Sequence, residues 1–150
     1  MSPIEETVLF RKGMILGRAL RFHGEFKESL THLQGSREIA ERRKDLIFDE
    51  DLRNLTCDLA DTLRELDDPV SAEQHIRAEI TRRDWNCGPS SGRLGLSLAE
   101  SLFAQRRFIE VQQFCLDIQS RPGLLKFEQL RLHITLAKLR LGHGSQIAKL

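Results

Sequence analysis

Three segments of this 150-residue chain share one pattern of large and small residues, and they align with no gap. Each segment places a small residue directly after a large one, with a second large residue one helical turn later. The offsets between successive segments are 43 and 39 residues. The aligned residues are Leu16-Gly17 with Leu20, Leu59-Ala60 with Leu63, and Leu98-Ala99 with Leu102. Self-similarity at this period predicts stacked copies of one supersecondary unit.

The residues after each pattern predict a turn and a second helix. Aligned columns hold a turn position, then a residue that starts the next helix, then a position that is small in the first two segments: Gly24, Phe26 and Ser29; Asp67, Pro69 and Ala72; Arg106, Phe108 and Val111. Asp67 and Arg106 replace the turn glycine, and Val111 is larger than the pattern expects. Small residues on both helices let the two backbones approach each other closely. Each copy therefore predicts a pair of antiparallel helices, and no strand-like alternation competes with this interpretation.

Helix boundaries are marked clearly at the N-terminus. Ser2 is a suitable N-cap, Pro3 fits the first helical position, and Glu5 completes a capping box. The first helix is therefore predicted to begin at Pro3.

Further along the chain, Asp49 is predicted as an N-cap, and Asp68 as the cap of a helix that begins at Pro69. Residues 86–92 and 121–123 are rich in Gly, Pro, Ser and Asn, and are predicted to be loops.

The repeat resembles the tetratricopeptide repeat (TPR), whose helix–turn–helix units carry this succession of large, small and turn residues. The first unit, residues 10–43, agrees best, through Gly17, Leu20, Gly24, Phe26, Ser29 and Leu33. Departures also occur: the periods exceed the usual 34 residues, and the proline that often closes the second helix is missing at Glu41 and Asp84. The resemblance implies an all-α fold, a right-handed α-solenoid of antiparallel helix pairs.

The expected organisation is a single TPR-like domain spanning residues 1–150. Its units are predicted at about 4–45, 49–84 and 92–120, with a terminal helix at about 124–142. The residues after that helix are too few for a full partner helix. Two alternatives stay open: the last helix solvates the end of the array, or the chain is part of a longer array.

Composition excludes several functional classes. The chain is 40% hydrophobic and 30% charged, and its formal net charge is +1, so no whole-chain field favours DNA or a membrane surface. Neither a Cys-x-x-Cys motif nor metal-ligand spacing occurs, so no metal or cofactor is predicted. The first residues lack the pattern of a secretory signal, and no apolar run is long enough to span a membrane, so a cytoplasmic location is predicted.

An enzymatic function is not predicted. Cys87 lies in a Gly/Pro/Ser segment where a thiol could be exposed, but no nearby base is apparent in the sequence to activate it. Whether Cys87 is reactive is left open.

A nucleic-acid-binding helical repeat is the weaker rival among binding functions. Residues 121–150 carry six basic residues and one acid, but no stacking aromatics accompany them, and the unit at 45–84 is strongly acidic. No nucleic acid and no membrane is therefore predicted as partner.

The resemblance implies a non-catalytic protein-interaction module with a concave groove. Residues seven and then three apart on the first helix of each unit share one face and are predicted to line it: Arg11, Arg18 and Arg21; Asn54, Asp61 and Arg64; Arg93, Glu100 and Phe103. Five of the nine are arginines, which favour carboxylate partners. The expected partner is an acidic or amphipathic peptide or helix anchored on Arg18, Arg21 and Arg64, with Phe103 as an apolar contact.

Two further expectations qualify this interpretation. Some members of the resembled family bind a C-terminal carboxylate with Lys and Asn residues; this chain has Asp58 at one of those places, which is expected to repel a carboxylate. The alternative function is a regulatory or accessory subunit that acts through its convex face or its terminal helix. The oligomeric state and the identity of the partner are left open.

Overall fold

The computed structural model describes residues 1–82, 91–120 and 123–148, and in these ranges the chain forms seven α-helices and no strand. The helices are α1 (Pro3–Phe22), α2 (Phe26–Arg42), α3 (Asp49–Glu65), α4 (Pro69–Arg82), α5 (Ser91–Ala104), α6 (Phe108–Gln119) and α7 (Lys126–Ala148). The all-α fold expected from the sequence is confirmed.

Helices pair in chain order. The pairs are α1 with α2, α3 with α4, and α5 with α6, and the first helix of each pair also packs against the first helix of the next pair. We call α1, α3, α5 and α7 the inner helices, and α2, α4 and α6 the outer helices. The helix α7 packs on α5 and α6, as α5 packs on α3 and α4.

The three turns inside the pairs have the same geometry. Gly24, Asp67 and Arg106 all adopt the left-handed conformation, with φ of 83°, 60° and 59°. In each turn the next residue donates its backbone N–H to the carbonyl five residues earlier, as Glu25 does to Leu20 at 2.9 Å. The aligned turn positions thus share a conformation that only glycine adopts without strain.

The small residues lie where the two helices of a pair approach. A Cβ on Gly17 would stand 2.5 Å from Cγ of Leu33 on α2, and the Ser29 hydroxyl donates to the Gly17 carbonyl at 2.6 Å. The equivalent residues Ala60 and Ala99 are completely buried. Gly13, which the pattern did not include, is equally crowded by α2.

Most predicted helix boundaries agree with the structure. The capping box of Ser2 and Glu5 is present, and Asp68 accepts a hydrogen bond from the backbone N–H of Ser71 at 3.1 Å. At α3 the N-cap is Phe48 rather than the predicted Asp49, which is instead the first helical residue. Here the extended backbone of Phe48 begins the helix without any side-chain cap.

Two predicted helix boundaries need correction. The helix α7 runs on to Ala148, six residues past its predicted end at 142, because Gly142 and Gly144 do not interrupt it. The helix α5 begins at Ser91, inside the predicted loop 86–92. The rest of that loop, with Cys87, lies outside the described residues, as do residues 121 and 122.

Candidate functional site: the inner groove

A groove of about 790 Å³ runs along the inner helices, from the C-terminal half of α1 to α7. We call it the inner groove. Its lining includes six cationic and three acidic side chains: Arg18, Arg21, Arg64, Arg93, Arg131 and Lys138 against Asp61, Glu65 and Glu100. Phe22, Phe103, Ala104, Phe127, Ile134 and Thr135 complete it.

Seven of the nine residues predicted for the groove line it, and Arg11 and Asn54 do not. Arg11 lies nearer the N-terminus of α1, where it is exposed and stands 4.0 Å from a carboxylate oxygen of Asp51. Asn54 accepts a hydrogen bond at 2.9 Å from Nη1 of Arg93. The helical spacing therefore predicted the correct face of each inner helix. The groove covers only part of the length of that face on α1 and α3, so Arg11 and Asn54 lie outside it.

Asp58 does not line the inner groove itself, but it links three of the arginines that form the groove floor. Its carboxylate is fully buried and contacts three arginines from two neighbouring inner helices: Arg18 at 2.9 Å, Arg21 at 3.3 Å and Arg93 at 2.7 Å. This corrects the expectation that Asp58 presents a repelling acidic patch, because the arginines enclose its charge. Arg18 and Arg21, which the sequence predicts to bind a partner's carboxylates, thus already contact a carboxylate of the chain itself.

A second network continues from α3 to α7. Arg64 pairs with Asp61 and with Glu100, the latter at 3.0 Å, and it donates to the hydroxyls of Ser97 and Ser101 at 3.0 and 3.1 Å. On the far side of Glu100, Arg131 donates to the same carboxylate at 2.5 Å. The Arg64 guanidinium is thus paired within the chain, and these contacts do not favour the prediction that it anchors a partner.

Burial and charge oppose each other at Asp61. Burial alone would raise the pKa of this carboxyl, but Arg64, followed by Arg131 and Arg93, outweighs it, so the pKa lies below its usual value of 3.8. Burial would also lower the pKa of the Arg93 guanidinium, but Cys57 and Asp58 outweigh it and raise that pKa above its usual value. Both groups are therefore charged at neutral pH.

The rims of the groove are apolar and accessible. Phe22 on α1 and Phe127 on α7 are 75% and 66% exposed. Each ring lies next to an arginine of the floor: Cζ of Arg21 is 4.9 Å from the ring centroid of Phe22, and Cζ of Arg131 is 5.9 Å from that of Phe127. Such cation–π pairs combine apolar area with positive charge at the groove edge.

The sequence interpretation missed the contribution of α7. Arg131, Ile134 and Lys138 all line the groove, although the prediction stopped at α5. A signal was present: residues 130–141 align with residues 92–103 at an offset of 38, which matches Arg131 with Arg93. The helix α7 is thus a fourth inner helix.

The buried thiols and the metal-ligating residue types can be described for the parts of the chain that the structure covers. No group of three or more His, Cys, Asp or Glu residues in the described ranges could hold a metal ion. Burial raises the pKa of the Cys57 thiol to about 12 and that of Cys115 to about 11, so neither thiol ionises at neutral pH. Among the helices of the described ranges, none has the length and apolar character to cross a membrane.

No protein-family model and no curated protein matches the sequence. A search of solved structures finds a crystal structure of a TPR-like protein from Chlorobium tepidum, with a TM-score of 0.72 and 17% sequence identity. The match covers 94% of this chain and 98% of that one. The fold of the chain is that of a TPR-like helical repeat. The paired helices and the shared geometry of their turns agree with this likeness.

Proposed function

We propose that this chain is a non-catalytic protein-interaction module that binds a segment of a partner protein, a peptide or a helix, in the inner groove. TPR-like folds typically mediate protein interactions and generally carry no catalysis. The observation that supports a groove-bound partner most directly is the exposed rim, where Phe22 and Phe127 flank a floor with more cationic than acidic side chains. Aromatic residues and arginine are enriched in interface centres.

The charges that remain accessible indicate the partner's chemistry. Many of the groove arginines are paired with carboxylates of the chain itself, so the charges most open to a partner are those of half-exposed Arg18 and exposed Lys138. A partner with acidic residues that face these cations, and apolar residues that face the rims, fits this distribution. We therefore keep Arg18 as an anchor and propose Phe22, Phe127 and Lys138 beside it, in place of Arg21, Arg64 and Phe103.

Site-specific photo-crosslinking in the native cells tests this proposal. The photoreactive residue p-benzoylphenylalanine replaces Phe22, an aromatic-for-aromatic change on an exposed rim. The matched control carries the same residue at Ile109, which is 70% exposed on α6. We expect a protein adduct at position 22 that Phe127→Ser weakens and that is missing at position 109.

The crosslinked peptide is then identified by mass spectrometry, which shows whether it is acidic or amphipathic. Adducts formed equally at both positions, or only at position 109, would place the interface outside the groove.

An accessory function through the terminal helix is a second candidate, and one observation favours it: α7 exposes Leu130 and Leu141, which do not line the inner groove. Nucleic-acid binding gains no comparable support, since Arg131 of the basic segment 121–150 is occupied by Glu100.

A further inference from the structure

The charges of the inner groove do not balance, and the imbalance lies where α1, α3 and α5 meet. Arg18, Arg21 and Arg93 all contact the buried carboxylate of Asp58. Because three guanidinium groups share one carboxylate, this set of side chains carries an excess of two positive charges. We call Arg18, Arg21, Arg93 and Asp58 the arginine cluster.

The rest of the groove does not remove this excess. Beyond the cluster, the lining holds three acids and three cations: Asp61, Glu65 and Glu100 against Arg64, Arg131 and Lys138. Asp61 pairs with Arg64, and Glu100 accepts from both Arg64 and Arg131. Asp61 also lies 3.6 Å from Arg93, but its charge is already matched by that of Arg64. The two unmatched positive charges therefore belong to the arginine cluster.

The cluster has hydrogen-bond donors to offer as well as charge. A guanidinium has five N–H groups. Within the described residues, Arg18 and Arg21 each donate one hydrogen bond, to Asp58, and Arg93 donates two, to Asn54 and Asp58. The three arginines line the groove, whereas the carboxylate of Asp58 is fully buried and does not. An anion in the groove therefore meets the guanidinium groups rather than the carboxylate.

The size of the excess favours a doubly charged group. A phosphate monoester carries a charge of about −1.5 to −2 at neutral pH, with three acceptor oxygens at one position. A carboxylate supplies a single charge, and two carboxylates of a peptide lie on separate side chains. The excess is instead concentrated where three guanidinium groups converge. The planar donor fork of arginine also matches the geometry of phosphate.

The surroundings of the cluster favour a phosphate that is attached to a protein. The exposed ring of Phe22 lies beside the cluster, with its centroid 4.9 Å from Cζ of Arg21, and offers apolar contact to a residue next to the phosphorylated one. The groove continues from there to Phe127 on α7, which leaves room for the rest of the segment. A nucleic acid has singly charged phosphates at regular intervals, so it requires a row of unmatched cations.

We infer that the arginine cluster binds a phosphoserine or phosphothreonine of the partner segment, with Arg18 in direct contact and Arg21 and Arg93 supplying positive charge. Arg18 has the most accessible side chain of the three, at 45% exposed against 17% for Arg21 and 20% for Arg93. The inference rests on the proposed function, because it places the phosphorylated segment in the inner groove. Phosphorylation of the partner then controls its binding.

A peptide array tests the inference. Each spot carries short peptides with mixed residues around a fixed central phosphoserine, and matched spots carry glutamate or serine at that position. The labelled full chain is applied to the array, and the phosphopeptide that binds best is resynthesised in all three forms. Fluorescence anisotropy then gives the dissociation constant of each form.

We expect the phosphoserine form to bind at least about tenfold more tightly than the glutamate form, with an affinity that falls as salt is added. Arg18→Gln should weaken its binding by at least about tenfold, and Arg18→Lys, which keeps the positive charge, should weaken it less. The matched control is Arg11→Gln, because Arg11 lies on the same helix, 4.0 Å from Asp51 and outside the groove. This control should keep the affinity, and circular dichroism verifies that all variants fold.

Several results would overturn the inference. Equal affinity of the phosphoserine and glutamate forms, both weakened by Arg18→Gln, would do so while leaving an acidic partner in the groove, as the proposed function requires. Unchanged binding by both Arg18 variants would place the phosphate elsewhere. Inorganic phosphate or a single-stranded oligonucleotide that binds at Arg18 as tightly as the phosphopeptide would assign the cluster to that ligand. Failure of the proposed function itself differs, since no form of any peptide would then bind and position 22 would give no crosslinked adduct.

Discussion

Contacts within a helix pair and contacts between successive inner helices are made by different chemistry. Within the first pair, Gly17 and Ser29 bring two backbones together, and one hydroxyl-to-carbonyl hydrogen bond fixes them at 2.6 Å. Between the first and second pairs, buried Asp58 contacts Arg18 and Arg21 of the preceding inner helix. The first kind of contact depends on volume and the second on charge balance, so substitutions should separate the two.

The largest effect is expected from Asp58→Ala. This change leaves Arg18, Arg21 and Arg93 close together without their shared carboxylate, and losing one partner of a buried ion pair costs about 3–5 kcal/mol. Urea denaturation followed by circular dichroism gives the change in unfolding free energy. The control is Glu65→Ala on the same helix, an exposed position where a change within about 0.5 kcal/mol is expected. Equal effects of the two substitutions would show that the network does not hold the inner helices together.

The two kinds of contact also differ in how far the sequence predicts them. The pattern of large and small residues predicted the close contact of Gly17 with α2 and the burial of Ala60 and Ala99, because close packing requires a small residue at a fixed helical position whatever its neighbours are. Ion pairing depends on which side chains from other helices converge. The spacing along α3 predicts that Arg64 lies on the groove face. It cannot show that the Arg64 guanidinium donates a hydrogen bond to Glu100, which lies 36 residues later on α5.

The extent of the groove was missed for a related reason. In the described residues, α7 continues as a helix where the other inner helices end in a turn, so no outer helix follows it there. The sequence only suggested a fourth unit, through Leu136-Ala137 and Gly142-His143-Gly144. The length of α7 was underestimated because Gly142 lowers helix propensity without forbidding a helix.

The contact within a pair should respond to added volume. In Gly17→Ala the new Cβ would lie 2.5 Å from buried Leu33, so overpacking should cost about 1–3 kcal/mol although alanine is the better helix former. The control is Gly35→Ala on α2, where nothing lies within 4 Å of the added atom. That change should stabilise the protein by up to about 1 kcal/mol through helix propensity alone. Thermal unfolding measures the stability of the two variants. An increase in stability for both would mean that α1 and α2 are not closely packed at Gly17.

Acid should weaken the contacts between inner helices. The pKa of Asp61 is below 3.8 in the folded chain, so as the pH falls through 3.8 the unfolded chain takes up this proton before the folded one does. The stability that the lowered pKa provides is present above this range and is lost as the pH drops to the folded pKa, with a slope of at most about 1.4 kcal/mol per pH unit for this one group.

The measurement is a series of urea titrations between about pH 5 and pH 2.5 on the wild type and on Asp61→Asn. The variant lacks the titrating carboxyl and should show a shallower decline than the wild type. Identical slopes would contradict a lowered pKa at Asp61.

The smallest effect concerns the turn that joins the two helices of a pair. Arg106 holds a left-handed conformation at φ of 59° that costs a non-glycine residue about 1–2 kcal/mol, and the aligned Gly24 holds it at φ of 83° without that cost. Arg106→Gly should therefore stabilise the chain, by about 1 kcal/mol or less, because the greater freedom of glycine in the unfolded state offsets part of the gain. Gly24→Ala should destabilise it by a similar amount through strain alone, since nothing lies within 4 Å of the added Cβ. Opposite signs in thermal unfolding would show that one turn geometry is imposed on both pairs, whereas a loss from both substitutions would mean that the Arg106 side chain itself stabilises its turn.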